Sequence, residues 1–336
     1  MEDFRHRLEQ YLTKKNQPIE IVNLTPDAST REYFRIRWNK SSAIACVYPE
    51  SFVPQEQTYL DVTKLFLQND LPVAEIFDFD GNTGVIVMED LGDTIVRPIL
   101  DKAEYEERDD LLNQAIGLIA RIQAATDSAF ETNSIASRLK FDQEKLGWEL
   151  EFFKTHYFET YKKQPLTAEE NRLLSEEFTE LVRELEKKAA VLCHRDFHAA
   201  NLMLDPAGNF RIIDHQDARI GAASYDLVSL LLDRITEIPS SAWLREKRLY
   251  FLDQREQIGL PHIDPDDFAE EFRLQTIQRC LKAIGTFSYQ SVHRGKTYFI
   301  QYIEPMFQSV LRSAGKLDRF PNLQNIVKAQ IKTEIK

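Results

Sequence analysis

The stretch VLCHRDFHAANLMLDPAGNFRIIDHQDA, residues 191–218, holds three histidines, four aspartates and two asparagines between short apolar runs. Val191–Cys193, Leu202–Leu204 and Phe210–Ile213 have the length and composition of short buried strands. Asp205, Pro206, Gly208 and Asn209 are turn formers, so the last two runs are predicted to fold back as a tight hairpin. Every polar cluster stands at a strand end: His194, Arg195 and Asp196 after the first run, Asn201 before the second, Asp214 after the third. A hairpin brings the start of its first strand beside the end of its second, which makes Asn201 and Asp214 neighbours. Their side-chain oxygens are hard ligands of the kind Mg²⁺ takes alongside water and phosphate oxygens. Asp196, on the preceding loop, is placed to accept the proton of an incoming hydroxyl. The polar groups thus read as a metal–phosphate site mounted on a rigid hairpin.

A chain of 336 residues suggests two domains, or two lobes of one enzyme. Hydrophobic residues at 43% and charged residues at 29% are ordinary globular values. A net charge of -12 argues against a nucleic-acid or anionic-membrane partner. Cys46, Cys193 and Cys280 lie too far apart for a disulfide framework or a zinc motif and are expected as buried, reduced thiols. The N-terminus MEDFRHRLEQYLTKKNQ is too charged for a signal peptide, and no uncharged apolar run reaches the ~18 residues of a membrane helix. A cytoplasmic protein without nucleic-acid, membrane or obligate protein partners is expected.

The chain changes character near residue 90. Before it, strand-like runs occur at Ile19–Leu24, Tyr33–Trp38, Ala43–Tyr48, Ile76–Phe79 and Val85–Met88, interrupted by one helix over Pro54–Asn69. Phe34, Ile36 and Trp38 alternate with Tyr33, Arg35 and Arg37, which predicts one buried face. After MEDLGD the pattern is helical. An apolar stripe runs over Tyr105–Ala125, and Thr167 with Glu170 forms a capping box before the next helix. Further helices are predicted at Tyr225–Ile235, Asp264–Tyr289, Tyr298–Leu311 and near the C-terminus. In DPDDFAEEF, residues 264–272, the acidic groups suit a helix N-terminus.

HRDFHAAN resembles the protein-kinase catalytic loop H-R-D-x-x-x-x-N, and IIDHQD stands where kinases carry D-F-G. DARIGAASYDLVSLLLDRI is similar to the aminoglycoside/choline phosphotransferase superfamily, in which the Asp matching Asp226 braces the catalytic loop. Within it, DASTREYFRI (27–36), VIVMEDLGD (85–93) and LQTIQRCLKAIGTFSYQSVHRGKTYFIQYI (274–303) resemble the bacterial N-acetylmuramate/N-acetylglucosamine anomeric kinases. The resemblance implies an α+β, protein-kinase-like two-lobed fold, with a small β-rich N-lobe (1–90) and a large, mainly helical C-lobe (91–336). It implies ATP and Mg²⁺ as cofactors and a small-molecule sugar as the acceptor.

By that resemblance Asp196 is the catalytic group and Asn201 and Asp214 are the metal ligands. Ser29 and Thr30 offer backbone N–H groups to the phosphates, a plain polar hairpin turn being the alternative, and Met88, Glu89 and Leu91 line the adenine, with Met88 equally open to simple core filling. His198, Asp217 and Arg279 are candidate substrate contacts. His198, like Arg195, is open to a loop-bracing role, and Asp217 to a structural hydrogen bond. Gln278, Arg279 and Lys282 are polar groups that could face a sugar substituent. One departure stands out. The third strand has no Lys for the α- and β-phosphates; Val47 or Cys46 occupies the slot. Arg31, Arg35, Arg37 and Lys40 are possible replacements, each expected first as a solvated surface charge. Two alternatives stay open: a kinase of another small alcohol, aminoglycoside or choline-like, and a nucleotide-binding pseudokinase regulator.

Overall fold

Alternation along one strand sets the N-terminal sheet. In β2 (Glu32–Trp38), Phe34, Ile36 and Trp38 are buried while Arg37 is exposed, as the period of two requires. The computed structural model describes residues 2–24 and 30–331, so Ser29 lies outside the described residues. β1 (Ile21–Leu24), β2, β3 (Ser41–Val47), β4 (Ile76–Asp80) and β5 (Val85–Glu89) form an antiparallel sheet in the order β1-β2-β3-β5-β4. One face packs on Leu8, Tyr11 and Leu12 of α1 (Glu2–Lys14), against Phe34, Ile36, Ala45 and Val87. The other face gathers Cys46, Ile86, Met88, Leu91 and Met203 around Tyr59 of α2 (Thr58–Gln68). Pro54 opens a separate 3₁₀ turn, Pro54–Glu56, and α2 starts after it, capped by the Gln57 side chain. The predicted helix therefore begins later than its proline suggested.

The hairpin forms as read. After β6 (Thr94–Ile95) and β7 (Val191–Cys193), β8 (Leu202–Leu204) pairs with β9 (Phe210–Ile212), Leu202 opposite Ile212 and Leu204 opposite Phe210. Gly208 takes the turn position at φ 84°, where a side chain would be strained. The pair is extended by β6 and tied down by Ile212 N–H donating to Pro72 O at 2.8 Å.

The chain folds as two compact units. The first holds Met1–Lys102, Ser128–Ile135 and Ala199–Asp217; the second holds Ala103–Asp127, Ala136–His198 and Ala218–Lys336. The hairpin thus groups with the sheet. After α3 (Val96–Leu100), the second unit begins with α4 (Tyr105–Ala124), while the short α5 (Thr126–Glu131) and α6 (Ile135–Arg138) stand at unit boundaries. It continues through α7 (Gln143–Phe153), a π-helical segment (Lys154–Tyr161) and α8 (Ala168–Lys188). There β10 (Arg219–Gly221) pairs with β7. α9 (Tyr225–Leu232), α10 (Ser241–Gln257), α11 (Pro265–His293), α12 (Ile303–Leu317) and α13 (Pro321–Lys328) complete it.

Both halves of the Thr167–Glu170 capping box are made, and Asp264 caps α11 by accepting from the N–H groups of Asp266 and Asp267. α11 is the central helix: Gly285 lies so close to α7 that a Cβ would sit 2.7 Å from Phe153 Cα. α7 and α10 escape the sequence patterns because ions interrupt their apolar stripes. Glu149 of α7 and Lys247 of α10 each have side chains only 1% exposed, Lys247 pairing with Asp109 at 2.5 Å. All three cysteines are buried free thiols. Among the described residues no helix is long and apolar enough to cross a membrane.

Candidate active site

In the first unit, the hairpin brings Asn201 and Asp214 together, Asn201 Nδ2 donating to Asp214 Oδ2 at 3.4 Å. Asp214 has φ 63°, a left-handed conformation that turns the chain sharply after β9. Its Oδ1 accepts from Gln216 Nε2 at 2.9 Å and faces Arg31 Nη2 at 3.6 Å. Among the described residues no three His, Cys, Asp or Glu side chains converge as a metal cluster. Mg²⁺ does not require one, since it commonly takes one or two carboxylates and completes its shell with water and phosphate oxygens. One carboxylate and one amide oxygen on adjacent strand ends, with Asp214 partly open to solvent, fit that demand.

Arg31 is no solvated surface charge. Its side chain is only 15% exposed, and the guanidinium lies 5.8 Å from the Tyr33 ring and 5.7 Å from that of Tyr48. Arg35 is likewise committed, to Asp90 at 2.7 Å and Asp93 at 2.8 Å. Arg37 and Lys40 are exposed, as expected. The register of β3 decides between the two residues at the lysine slot. Ala43, Ala45 and Val47 face α1, whereas Cys46 packs with Tyr59 on the side that carries Met88. The place of the strand lysine is thus filled by an apolar contact between Cys46 and Tyr59.

The other first-unit candidates sit near this face. Met88 is buried and accepts from Tyr59 O–H at 3.1 Å, so it packs as core. Glu89 donates its N–H to Glu75 O at 2.8 Å, and its carboxylate pairs with Arg211 at 2.5 Å. That backbone N–H is therefore already used. Leu91 is buried, Thr30 exposed and Asp217 half-buried.

In the second unit the backbone of the His194–Asp196 loop is held in an unusual shape by one buried carboxylate. Asp226, in the first turn of α9, accepts from His194 N–H at 2.6 Å and Arg195 N–H at 3.0 Å. Arg195 has φ 87°, costly for a non-glycine residue and tolerated because these bonds secure it. Burial pushes the Asp226 carboxyl up to about 6. The brace expected at Asp226 is present.

Asp196 projects from this loop with its side chain 26% exposed. Its Oδ1 accepts from Lys282 Nζ at 3.0 Å and Arg279 Nη2 at 3.2 Å, both on α11. Burial would raise this carboxyl, but the charges of Lys282, Arg279 and Arg195 outweigh it and hold it well below the usual carboxylate range. Arg279 is itself buried and also reaches Ser229 Oγ at 3.0 Å and Asp233 at 3.4 Å. It positions Asp196 as well as any group beyond it. Lys282, read from the sequence only as a polar group that could face a sugar, shares that place. Gln278 is not available to a ligand, since it donates to Glu149 at 2.8 Å and accepts from Gln275 at 3.0 Å, fully buried. His198 is half-buried; burial lowers its pKa to about 4, so the ring is neutral at pH 7. Its Nδ1 has no hydrogen-bond partner among the described residues.

This arrangement has relatives. The model of the APH phosphotransferase enzyme family matches residues 20–255. The chain belongs to that family. It is a phosphotransferase, with the β-sheet N-terminal region and mainly helical C-terminal part of the protein-kinase-like fold. A protein of Neisseria meningitidis serogroup B named N-acetylmuramate/N-acetylglucosamine kinase is 28% identical over 299 residues, covering 88% of this chain and 86% of its own. One of the same name from Pseudomonas aeruginosa is 27% identical, covering 87% and 82%. Among solved structures, a microcompartment-associated aminopropanol kinase superposes with a TM-score of 0.60 at 17% identity, covering 93% of this phosphotransferase and 97% of that chain. An ADP-bound aminoglycoside phosphotransferase gives 0.57 at 16% identity, covering 90% and 97%. These structures share the fold; their acceptors differ.

Proposed function

We propose that this phosphotransferase is an ATP-dependent kinase that places the γ-phosphate on the anomeric hydroxyl of an amino sugar, N-acetylmuramate or N-acetylglucosamine. The observation that carries the reading is the pair of α11 cations on the catalytic carboxylate, Lys282 at 3.0 Å and Arg279 at 3.2 Å. They make the acceptor side cationic, which disfavours the ammonium groups of an aminoglycoside or a choline-like alcohol and suits a neutral or carboxylate-bearing sugar. The two relatives named for such sugars support the choice.

In this reading residues 1–90 form the nucleotide lobe and residues 91–336 the acceptor lobe. Asp214 and Asn201 hold Mg²⁺, which neutralises charge on the transferring phosphates. Asp196 orients the acceptor hydroxyl and takes its proton late, because a carboxyl held so low is a weak base until the hydroxyl acidifies. An anomeric hydroxyl is more acidic than an ordinary sugar alcohol and suits that weak base. His198, Asp217 and Arg279 stand for acceptor contacts, and Thr30, Ser29 and Leu91 for ATP contacts, with Met88 as core beneath them and Glu89 left only its carbonyl to offer.

The cation missing from β3 is supplied by Arg31, immediately before β2. It points over Tyr33 and Tyr48 towards Asp214, on the face where Cys46 has replaced the lysine. Arg31→Ala is expected to raise the KM for ATP about tenfold, the value of one charge-assisted contact, with a smaller effect on kcat. Arg31→Lys should recover part of it, since lysine keeps the charge but loses the stacked fork. An unchanged ATP KM in steady-state kinetics would return Arg31 to a structural role.

The acceptor assignment is tested by the product. Phosphorylation should give a non-reducing, acid-labile sugar 1-phosphate, and a methyl glycoside, its anomeric oxygen blocked, should not react. Efficient turnover of the methyl glycoside, or of kanamycin-like amines but no free sugar, would overturn it.

A further inference from the structure

One cleft of the helical unit is lined by positive charge and belongs to none of the groups above. It lies between the start of α10, the first half of α11 and the end of α12, with an open volume of about 380 Å³. Arg248, Arg273, Arg312 and Lys316 line it, beside Ser241 and Phe272. In a chain with 54 acidic and 42 basic residues, a basic side chain normally finds a carboxylate. These four find none within ion-pair distance among the described residues. The contacts they do make are with neutral groups. Arg312 donates to Pro239 O at 2.5 Å, Lys316 donates to Ser241 Oγ at 3.1 Å, and Arg248 lies 5.2 Å from the Phe272 ring.

The strain of this grouping is visible in Arg248. Burial, then the charges of Arg273, Arg245 and Arg312, bring its pKa down to about 10. Like charges gathered without a counterion destabilise a fold, and a bound anion relieves the repulsion. One further feature favours a ligand. α10, a helix of 17 residues, begins at the cleft, so its first-turn N–H groups add partial positive charge. Three guanidinium groups and an ammonium, converging from three helices, match the several acceptor oxygens of a phosphate better than the two of a carboxylate.

We infer that this cleft binds the phosphate group of a small anionic metabolite, at a site distinct from the phosphoryl-transfer groups. None of its lining residues touches Asp196. It is nevertheless built on the same helix: Arg273 and Arg279 are six residues apart on α11, about 9 Å along the axis. An anion at the cleft therefore sits one to two turns from the arginine that holds the catalytic carboxylate, and the inference does not depend on which sugar is the acceptor.

Inorganic pyrophosphate is the probe, titrated calorimetrically into the full chain with a chelator present, so that no metal-dependent nucleotide site contributes. Saturable binding of one pyrophosphate per chain is expected. Arg248→Gln combined with Arg312→Gln should weaken it about 100-fold, roughly tenfold per charge-assisted contact. Because Arg312 also holds Pro239, the pair Arg273→Gln and Lys316→Gln, of which Lys316 is exposed, serves as an independent variant with the same expected loss. Arg31→Ala should leave the affinity within about twofold, far less than the tenfold of one such contact. Absence of saturable binding, or binding that survives both double variants, would overturn the inference. So would binding abolished by Arg31→Ala, which would place the pyrophosphate among the ATP groups instead.

Discussion

Asp196→Asn is expected to lower turnover by about 10²–10⁴ while nucleotide binding persists, the range typical for loss of a catalytic base. The amide keeps the size of the carboxylate but removes the anion on which Lys282 and Arg279 converge at 3.0 and 3.2 Å. Two effects follow. The acceptor hydroxyl loses its oriented proton acceptor, and a buried cation pair loses its shared counterion. Arg279 retains Asp233 at 3.4 Å, so the fold should survive with a reduced Tm. The measurement is kcat with the sugar acceptor beside a nucleotide titration and a melting curve. A variant with near-wild-type kcat would remove Asp196 from the chemistry. Because the carboxyl is held well below its ordinary value, it is ionised throughout neutral pH, and no loss of activity between about pH 5 and 8 should trace to it.

Asp214→Asn is expected to be comparably severe, on the order of 10³ in turnover, since charge stabilisation by a metal is worth several kcal/mol. It is also a clean substitution. Asp214 sits at φ 63°, and asparagine tolerates the left-handed region, so the turn after β9 should be kept. Asn201→Ala removes a neutral ligand instead. Higher Mg²⁺ should partly restore Asn201→Ala but not Asp214→Asn, because only the latter has lost the anion that binds the cation. Activity measured across a magnesium series separates the two. Equal losses in both, indifferent to magnesium, would count against a metal role for this pair.

The hairpin, the alternating strand β2 and the capping box at Thr167 were legible because each depends on residues a few positions apart. Turn chemistry at Asp205–Asn209 fixes the register of β8 on β9, and that register alone makes Asn201 and Asp214 neighbours. The same holds for the cap on α11, where Asp264 serves N–H groups two and three residues on. Family resemblance extended this reading to the Asp226 brace, whose partners lie 32 and 31 residues away and leave no local pattern.

The order of local elements and the polar groups at their ends are therefore written in contiguous residues. Tertiary structure alone decided which distant charges meet them. Lys282 and Arg279 reach Asp196 across 86 and 83 residues, and Arg31 reaches Asp214 from the other end of the first unit. β10, three residues containing an arginine and a glycine, became a strand only because β7 offered it a free edge. α10 became a helix around a buried lysine because Asp109 of α4 stood ready to neutralise it. In each case the deciding term is an interaction through space between groups far apart in the chain. Periodicity registers which face of an element is apolar, but the partner that makes a buried charge tolerable is set only when the chain has folded.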